Sequence, residues 1–258
     1  MNKFDGILLA TDLDGTLSID GNVSEENIKA IEYFKSNGGL FTLCTGRKHS
    51  YLIKNGLDKL ANAPILSFNG AVITDNVTGE ILYTGFLTEH YKRAFFEGLK
   101  YSKKIKTILV YYKDLEQYVK YDSIKITENT VEFDYLTPIY KIIFTFTDEA
   151  DALIVRDAIN ALNLPDIKAV RSWSTCVEII SEKSSKGSTL LWLKNKLNAK
   201  MLITAGDFEN DVSMLKSADI GFAVENAAPY AKAAADRLTV SVEQNAIAAI
   251  IYELESLL

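Results

Sequence analysis

Four short stretches hold residues whose types and spacing can do chemistry. The first is Asp12-Leu13-Asp14-Gly15-Thr16, directly after an apolar run, Gly6 to Ala10. Carboxylates at i and i+2 face the same way as a strand leaves a sheet. Carboxyl ends of parallel strands are where open α/β sheets bind ligands, and Asp-Gly permits a sharp turn. An acidic strand-to-helix turn with a capping Asp is the plainer reading. The second stretch is Thr45-Gly46-Arg47. A hydroxyl and backbone N–H groups at a helix entry suit a phosphate, though a simple N-cap reads the same way. Arg47 either reaches a substrate or makes a structural salt bridge. The third is Lys186, in Ser185-Lys186-Gly187-Ser188. A cation at a helix start opposes the helix dipole at a cost of about a few tenths of a kcal/mol, so a nearby anion or a solvated surface must explain it. The fourth is Gly206-Asp207-Phe208-Glu209-Asn210-Asp211, where Asp207 and Asp211 lie about one helical turn apart. An N-cap with an acidic first turn is its plainer reading.

Together the four are far more specific than any one. Three strand ends would deliver groups to one rim and crowd Asp12, Asp207 and Asp211. At an effective dielectric of ~20, two carboxylates ~4 Å apart repel by about 4 kcal/mol. A hard divalent cation makes that tenable, and oxygen-only donors favour magnesium.

The elements that must position these residues alternate strand and helix at both chain ends. Gly6 to Ala10 is a strand buried on both faces. Ser24 caps a helix to about Ser36 with Ile28, Ile31 and Phe34 inward. Leu40 to Cys44 and Leu66 to Phe68 are strands. Lys186 to Leu197 is a helix with Leu190, Leu193 and Leu197 on one face. Lys200 to Ala205 and Ile220 to Val224 are strands, with a helix Glu209 to Ser217 between them and another from Ala246 to Leu258. The fold class expected is α/β, a doubly wound, mainly parallel sheet of Rossmann-like form. The middle differs: Leu82 to Ile180 holds nine of the thirteen tyrosines. Ile108 to Tyr112, Val131 to Tyr135, Ile139 to Thr147 and Cys176 to Ile180 read as strands. Ala150 to Leu162 reads as a helix with Ile154, Val155, Ala158, Ile159 and Leu162 inward. The organisation expected is a core of residues 1–81 and 182–258 with an inserted α+β cap domain of residues 82–181.

The chain has 258 residues, 48% of them hydrophobic, and a net charge of −6. No Lys/Arg run marks a nucleic-acid footprint, so no nucleic-acid partner is expected. Two cysteines far apart, Cys44 and Cys176, argue against a disulfide framework and fit a reducing compartment. No stretch approaches the ~20 apolar residues of a membrane span, and the apolar run of about five residues near the start is too short to be expected to act as a signal h-region. A cytoplasmic protein without a membrane partner is expected. His49 and His90 are the only histidines, and neither a Ser-His-Asp triad nor a zinc site can be argued from them.

In order and spacing, DLDGT, TGR, Lys186 and GDFEND resemble the four motifs of the haloacid dehalogenase-like superfamily. The insert and the phrase SFNGA at Ser67 to Ala71 resemble its Cof-type sugar-phosphate phosphatase branch. The resemblance implies a phosphatase acting on small phosphorylated metabolites; a monomer or homodimer is expected. It implies that Asp12 attacks phosphorus and carries an aspartyl-phosphate, and that Asp14 acts as acid and then base. It implies Mg2+ held by Asp12, the Asp14 carbonyl and Asp207, with Asp211 in direct or indirect contact. It implies that Thr45, Gly46 and Lys186 bind the phosphoryl oxygens, and that Asn210 orients Lys186 or the substrate. Two segments depart from the family pattern. Val242 to Ala246 lacks the usual Asp-Gly and is expected to border the site only loosely; Ser18 to Asn22 is unusual after DGT. The insert is expected to close over the site and select the substrate. A phosphomutase of similar outer domain, or a non-catalytic phosphometabolite-binding module, remains an alternative.

Overall fold

The computed structural model describes residues 2–113, 119–121 and 137–257. The first strand, β1 (Ile7–Thr11), is buried along its whole length. It leads into a small hairpin, β2 (Ser18–Ile19) and β3 (Asn22–Val23). Helix α1 (Glu25–Ser36) follows, and the Ser24 side chain accepts from the Asn27 N–H as its N-cap. Then come β4 (Leu40–Leu43), a short helix α2 (His49–Lys54), and three antiparallel strands: β5 (Ile65–Ser67), β6 (Val72–Thr74) and β7 (Ile81–Thr84).

The chain then builds a second compact unit, Gly85–Ser184. It comprises α3 (Tyr91–Leu99), β8 (Ile105–Tyr112), β9 (Val119–Tyr121), β10 (Ile139–Phe146), α4 (Glu149–Ala161), β11 (Ile167–Val170) and β12 (Cys176–Ser181). The strands form an antiparallel sheet in the order β11-β12-β10-β8-β9. Alternate strand residues Ile108, Val110, Ile142, Phe144, Val177 and Ile179 pack with α3 and α4 in one core. The strand expected at Val131 to Tyr135 lies outside the described residues.

The first unit is completed by α5 (Lys186–Lys196), β13 (Met201–Gly206), α6 (Val212–Ser217), β14 (Ile220–Ala223), α7 (Pro229–Ala234), β15 (Arg237–Leu238) and α8 (Ala246–Leu257). Its parallel sheet runs β15-β14-β13-β1-β4. Adjacent residues of β1 serve opposite faces, as a pleated strand requires. Leu9 packs with Ile31 and Phe34 of α1 and Ile247 and Ile251 of α8. Leu8 and Ala10 pack with Leu190 and Leu193 of α5 and Met214 of α6. Helices thus cover both faces of a parallel sheet, the doubly wound α/β arrangement expected from the alternation.

The division falls at Thr84/Gly85 and Ser184/Ser185, three residues later at each crossing than expected. Pairing of β7 with β6 carries the first unit on to Thr84, and Glu182 N–H donates to the Asp166 carbonyl, keeping the turn after β12 in the second unit. Two core assignments fail. Ile28 is 36% exposed and Ile154 is 46% exposed, while Asn27, Ala30 and Ala152 take the inward positions. A 3.6-residue period leaves the edge of an apolar stripe ambiguous, and packing decides which edge is covered. The helix expected over Glu209 to Ser217 is a 3-10 turn, Glu209–Asp211, running into α6. No helix among the described residues is long and apolar enough to cross a membrane.

Candidate active site

Three adjacent parallel strands end at one rim of the first unit. Asp12 follows β1, Asp207 follows β13 and Thr45 follows β4. Lys186 opens α5, whose Ser185 N-cap accepts from the Ser188 N–H. Fully buried, Lys186 lies with its Nζ 2.6 Å from both Asp12 Oδ1 and Asp211 Oδ1. The unfavourable charge at the helix start is therefore explained by two carboxylates, not by solvent.

Oxygens of Asp12, Asp207 and Asp211 all lie within 4.8 Å of one another. Burial is the largest influence on Asp12 and raises its pKa well above the ordinary carboxylate value. Lys186 opposes this, but Asp211 and Asp207 add to it. Burial, then Asp211, pushes Asp207 up to about 7, against a hydrogen bond from Thr16 Oγ1 at 2.7 Å. For Lys186 burial works toward the neutral form, but Asp12 and Asp211 outweigh it and hold the ammonium protonated. With all three carboxylates ionised, the one ammonium leaves two negative charges, which one divalent cation would balance. The donors are hard oxygens, so the residues fit Mg2+.

The three acids are not equivalent. Asp211 already accepts three hydrogen bonds: Oδ1 takes Lys186, and Oδ2 accepts the N–H groups of Asp207 at 2.9 Å and Phe208 at 3.0 Å. It holds the lysine and the turn. Asp12 has Oδ2 without a hydrogen bond among the described residues. Gly15 keeps the Asp14 turn clear of Asp207. Its φ is +82°, and a Cβ there would lie 2.8 Å from Asp207 Oδ2.

Asp14 stands apart from this cluster. Exposed, it accepts two hydrogen bonds from Arg47, Nε to Oδ2 at 2.9 Å and the second at 3.0 Å to Oδ1. The Arg47 guanidinium also lies 4.7 Å from the centre of the Tyr51 ring. Of the two readings of Arg47, the structure shows the ion pair. The expected helix entry at Thr45 is corrected: α2 begins at His49, and the Thr45 N–H donates to the Leu66 carbonyl. The Thr45 hydroxyl, buried, accepts from the Arg47 N–H at 3.1 Å. Thr45 and Gly46 therefore form a turn braced by the neighbouring strand. For Asn210, expected to orient Lys186 or the substrate, only the lysine contact is corrected. Its amide donates to Asn69 Oδ1 at 3.1 Å and makes no bond to Lys186.

A cavity of about 630 Å³ adjoins Asp14, Gly15 and Arg47. Its walls include Ser18 and Asp20 of the hairpin and Val242 and Glu243 of the late loop. Asn226 ties that loop to the turn, donating to the Gly15 carbonyl at 2.8 Å and accepting from the Val242 N–H at 2.9 Å. Val242 and Glu243 of the segment Val242 to Ala246 thus line the same cavity as Asp14. Asn69, absent from the expected site, was marked in sequence only by the phrase SFNGA.

A family model described as haloacid dehalogenase-like hydrolase matches residues 9–251. The putative phosphatase YxeH of Bacillus subtilis is 27% identical over 96% of this chain and 97% of its own length. The chloroplastic endoribonuclease YBEY of Arabidopsis thaliana is 26% identical over 93% of this chain, which spans 45% of that protein's length. A haloacid dehalogenase-like hydrolase structure from B. subtilis shares the fold, with a TM-score of 0.79 at 22% identity over 96% of this chain and 99% of that one. The acidic cluster with its buried lysine at the ends of β1 and β13 thus lies within a match that spans nearly the whole sequence, and the chain belongs to the haloacid dehalogenase-like hydrolase family.

Proposed function

We infer that the protein is a Mg2+-dependent phosphatase of small phosphorylated metabolites, sugar phosphates or similar phosphomonoesters. The observation that carries this is Lys186 Nζ at 2.6 Å from Asp12 Oδ1, beside oxygens of Asp207 and Asp211. Lys186 fixes Asp12 through Oδ1, which leaves Oδ2 to attack phosphorus and form an aspartyl-phosphate. The ammonium then faces the charge that develops on the transferred group. Asp14, exposed and so able to take a proton from solvent, gives that proton to the departing oxygen and regains one from the attacking water, with Arg47 fixing its carboxyl plane. Thr45, Gly46 and Arg47 form the turn that shapes the phosphoryl pocket, and Asn210 is linked to it through Asn69. Asp12, Asp207 and the Asp14 carbonyl would hold Mg2+, with Asp211 acting through Lys186. When bound, the ion neutralises phosphoryl oxygens and offsets the carboxylate repulsion.

The inserted domain, residues 82–181, selects among substrates in this reading. The protein works in the cytoplasm as a monomer or homodimer, without nucleic acid or membrane. The test is phosphate release from a panel of phosphorylated metabolites. Turnover is expected to stop with EDTA and return with Mg2+. Asp12→Asn is expected to fold and to release no phosphate; near-native turnover in that variant removes Asp12 as the nucleophile.

A further inference from the structure

The turn after β5 is under backbone strain that the mechanism above does not use. Phe68 has φ +53° and Asn69 φ +60°, two consecutive non-glycine residues in the left-handed region. A bulky residue there is a conformational outlier, and such strain persists only where the surroundings over-determine it. Here they do. The Asn69 N–H donates to the Thr45 carbonyl at 2.9 Å, and the Phe68 N–H donates to the Arg47 carbonyl at 3.1 Å. The left-handed pair therefore clamps the backbone of the Thr45-Gly46-Arg47 turn from outside.

The Asn69 side chain continues the same link. It is fully buried, and its Oδ1 accepts from Asn210 Nδ2 at 3.1 Å. Oδ1 also lies 3.1 Å from where a Cβ on Gly46 would stand, so the amide lies against that glycine. Asn210 is next to Asp211, which holds Lys186, which holds Asp12. The Asn210 Oδ1 is buried and has no hydrogen-bond partner among the described residues. A buried amide with one half anchored and one half unsatisfied costs free energy, and such groups persist where function needs them.

We propose that Asn69 is a positioning residue of the phosphoryl pocket, joining the Thr45-Gly46 turn to Asn210 and the lysine clamp as one rigid wall. This rests on the phosphatase reading. The strain is what holds the amide: a relaxed backbone at Asn69 would swing the side chain away from both Gly46 and Asn210.

The test uses the full-length protein with p-nitrophenyl phosphate as substrate and inorganic phosphate as competing ligand. Asn69→Gly keeps the left-handed backbone accessible and removes only the amide. It is expected to raise the phosphate inhibition constant about tenfold, lower kcat tenfold or more and lower the melting temperature by only a few degrees. Adding Asn210→Ala to Asn69→Gly is expected to cost little more than Asn69→Gly alone, since the two act as a unit. Asn69→Asp keeps an acceptor for Asn210 but places a negative charge beside Gly46. It is expected to fold and to bind phosphate more weakly than Asn69→Gly does.

Native phosphate inhibition and kcat in both Asn69→Gly and Asn69→Asp would overturn the proposal. So would fully additive losses with Asn210→Ala, or a lowered melting temperature with unchanged kcat and inhibition. A native protein that neither hydrolyses phosphomonoesters nor binds phosphate would instead overturn the phosphatase reading itself.

Discussion

Replacing Lys186 by Met tests the electrostatic account of the site directly. Met fills much of the same volume, so the change removes charge more than packing. Lys186 is fully buried and contacts Asp12 and Asp211 at 2.6 Å each. Deleting one partner of a buried pair typically costs ~3–5 kcal/mol, because the remaining charge is left uncompensated. For a chain of this size that lowers the melting temperature by roughly 6–20 °C. The loss must depend on pH. Without the ammonium, the buried carboxylates escape by taking up protons, so their folded-state pKa values rise further. A carboxylate whose folded pKa exceeds its unfolded value favours folding at low pH and loses that contribution as pH rises through the folded value. The destabilisation is therefore larger at pH 8 than at pH 5. The assay is thermal unfolding in EDTA at both pH values, read by tryptophan fluorescence and circular dichroism so that coincident transitions can be required. A loss below about 1 kcal/mol, or one equal at the two pH values, refutes the claim that Lys186 neutralises this cluster.

Three further outcomes follow from the same geometry. With Asp207 raised to about 7, the metal-free native protein should be less stable at pH 8 than at pH 5. The difference is at most about 2.7 kcal/mol, less for the partial exposure of Asp207, and Mg2+ at a hundred times its Kd should restore about as much. Thermal melts with and without EDTA check both, and stability rising with pH in EDTA counts against the crowded-carboxylate picture. Gly15→Ala forces a Cβ toward Asp207 Oδ2 at 2.8 Å in a left-handed backbone. It should cost about 1–3 kcal/mol and weaken Mg2+ binding by calorimetry, and native affinity would deny Gly15 its role. Arg47→Ala breaks a pair whose side chains are 48% and 44% exposed, so stability should change by less than about 1 kcal/mol. Turnover should nevertheless fall roughly tenfold or more as Asp14 loses its orientation, and unchanged kcat would argue against that positioning.

The relation between sequence and structure differs by element. The run Gly6 to Ala10 and the stretch Met201 to Ala205 declared themselves as buried strands because continuous apolar character is local information. The Ser24 cap was equally local, a hydroxyl three residues before the N–H it accepts from. The second unit was harder to read. Helix α3, Tyr91–Leu99, has no capping side chain, and strand β11, Ile167–Val170, is only four residues long. Both depend on packing against a sheet assembled from distant strands.

What the residues alone determined was which groups would gather at the strand ends: Asp12, Lys186, Asp207 and Asp211, each announced by the strand or helix it adjoins. What only the tertiary structure decided was whom each polar group holds. Arg47 pairs with Asp14 across 33 residues, Asn210 with Asn69 across 141, and Lys186 with Asp12 across 174. Strand and helix periods extend over a few residues, so they place a side chain at an element's end or on one of its faces. A hydrogen bond is settled by distance and angle between elements that meet only when the sheet is complete.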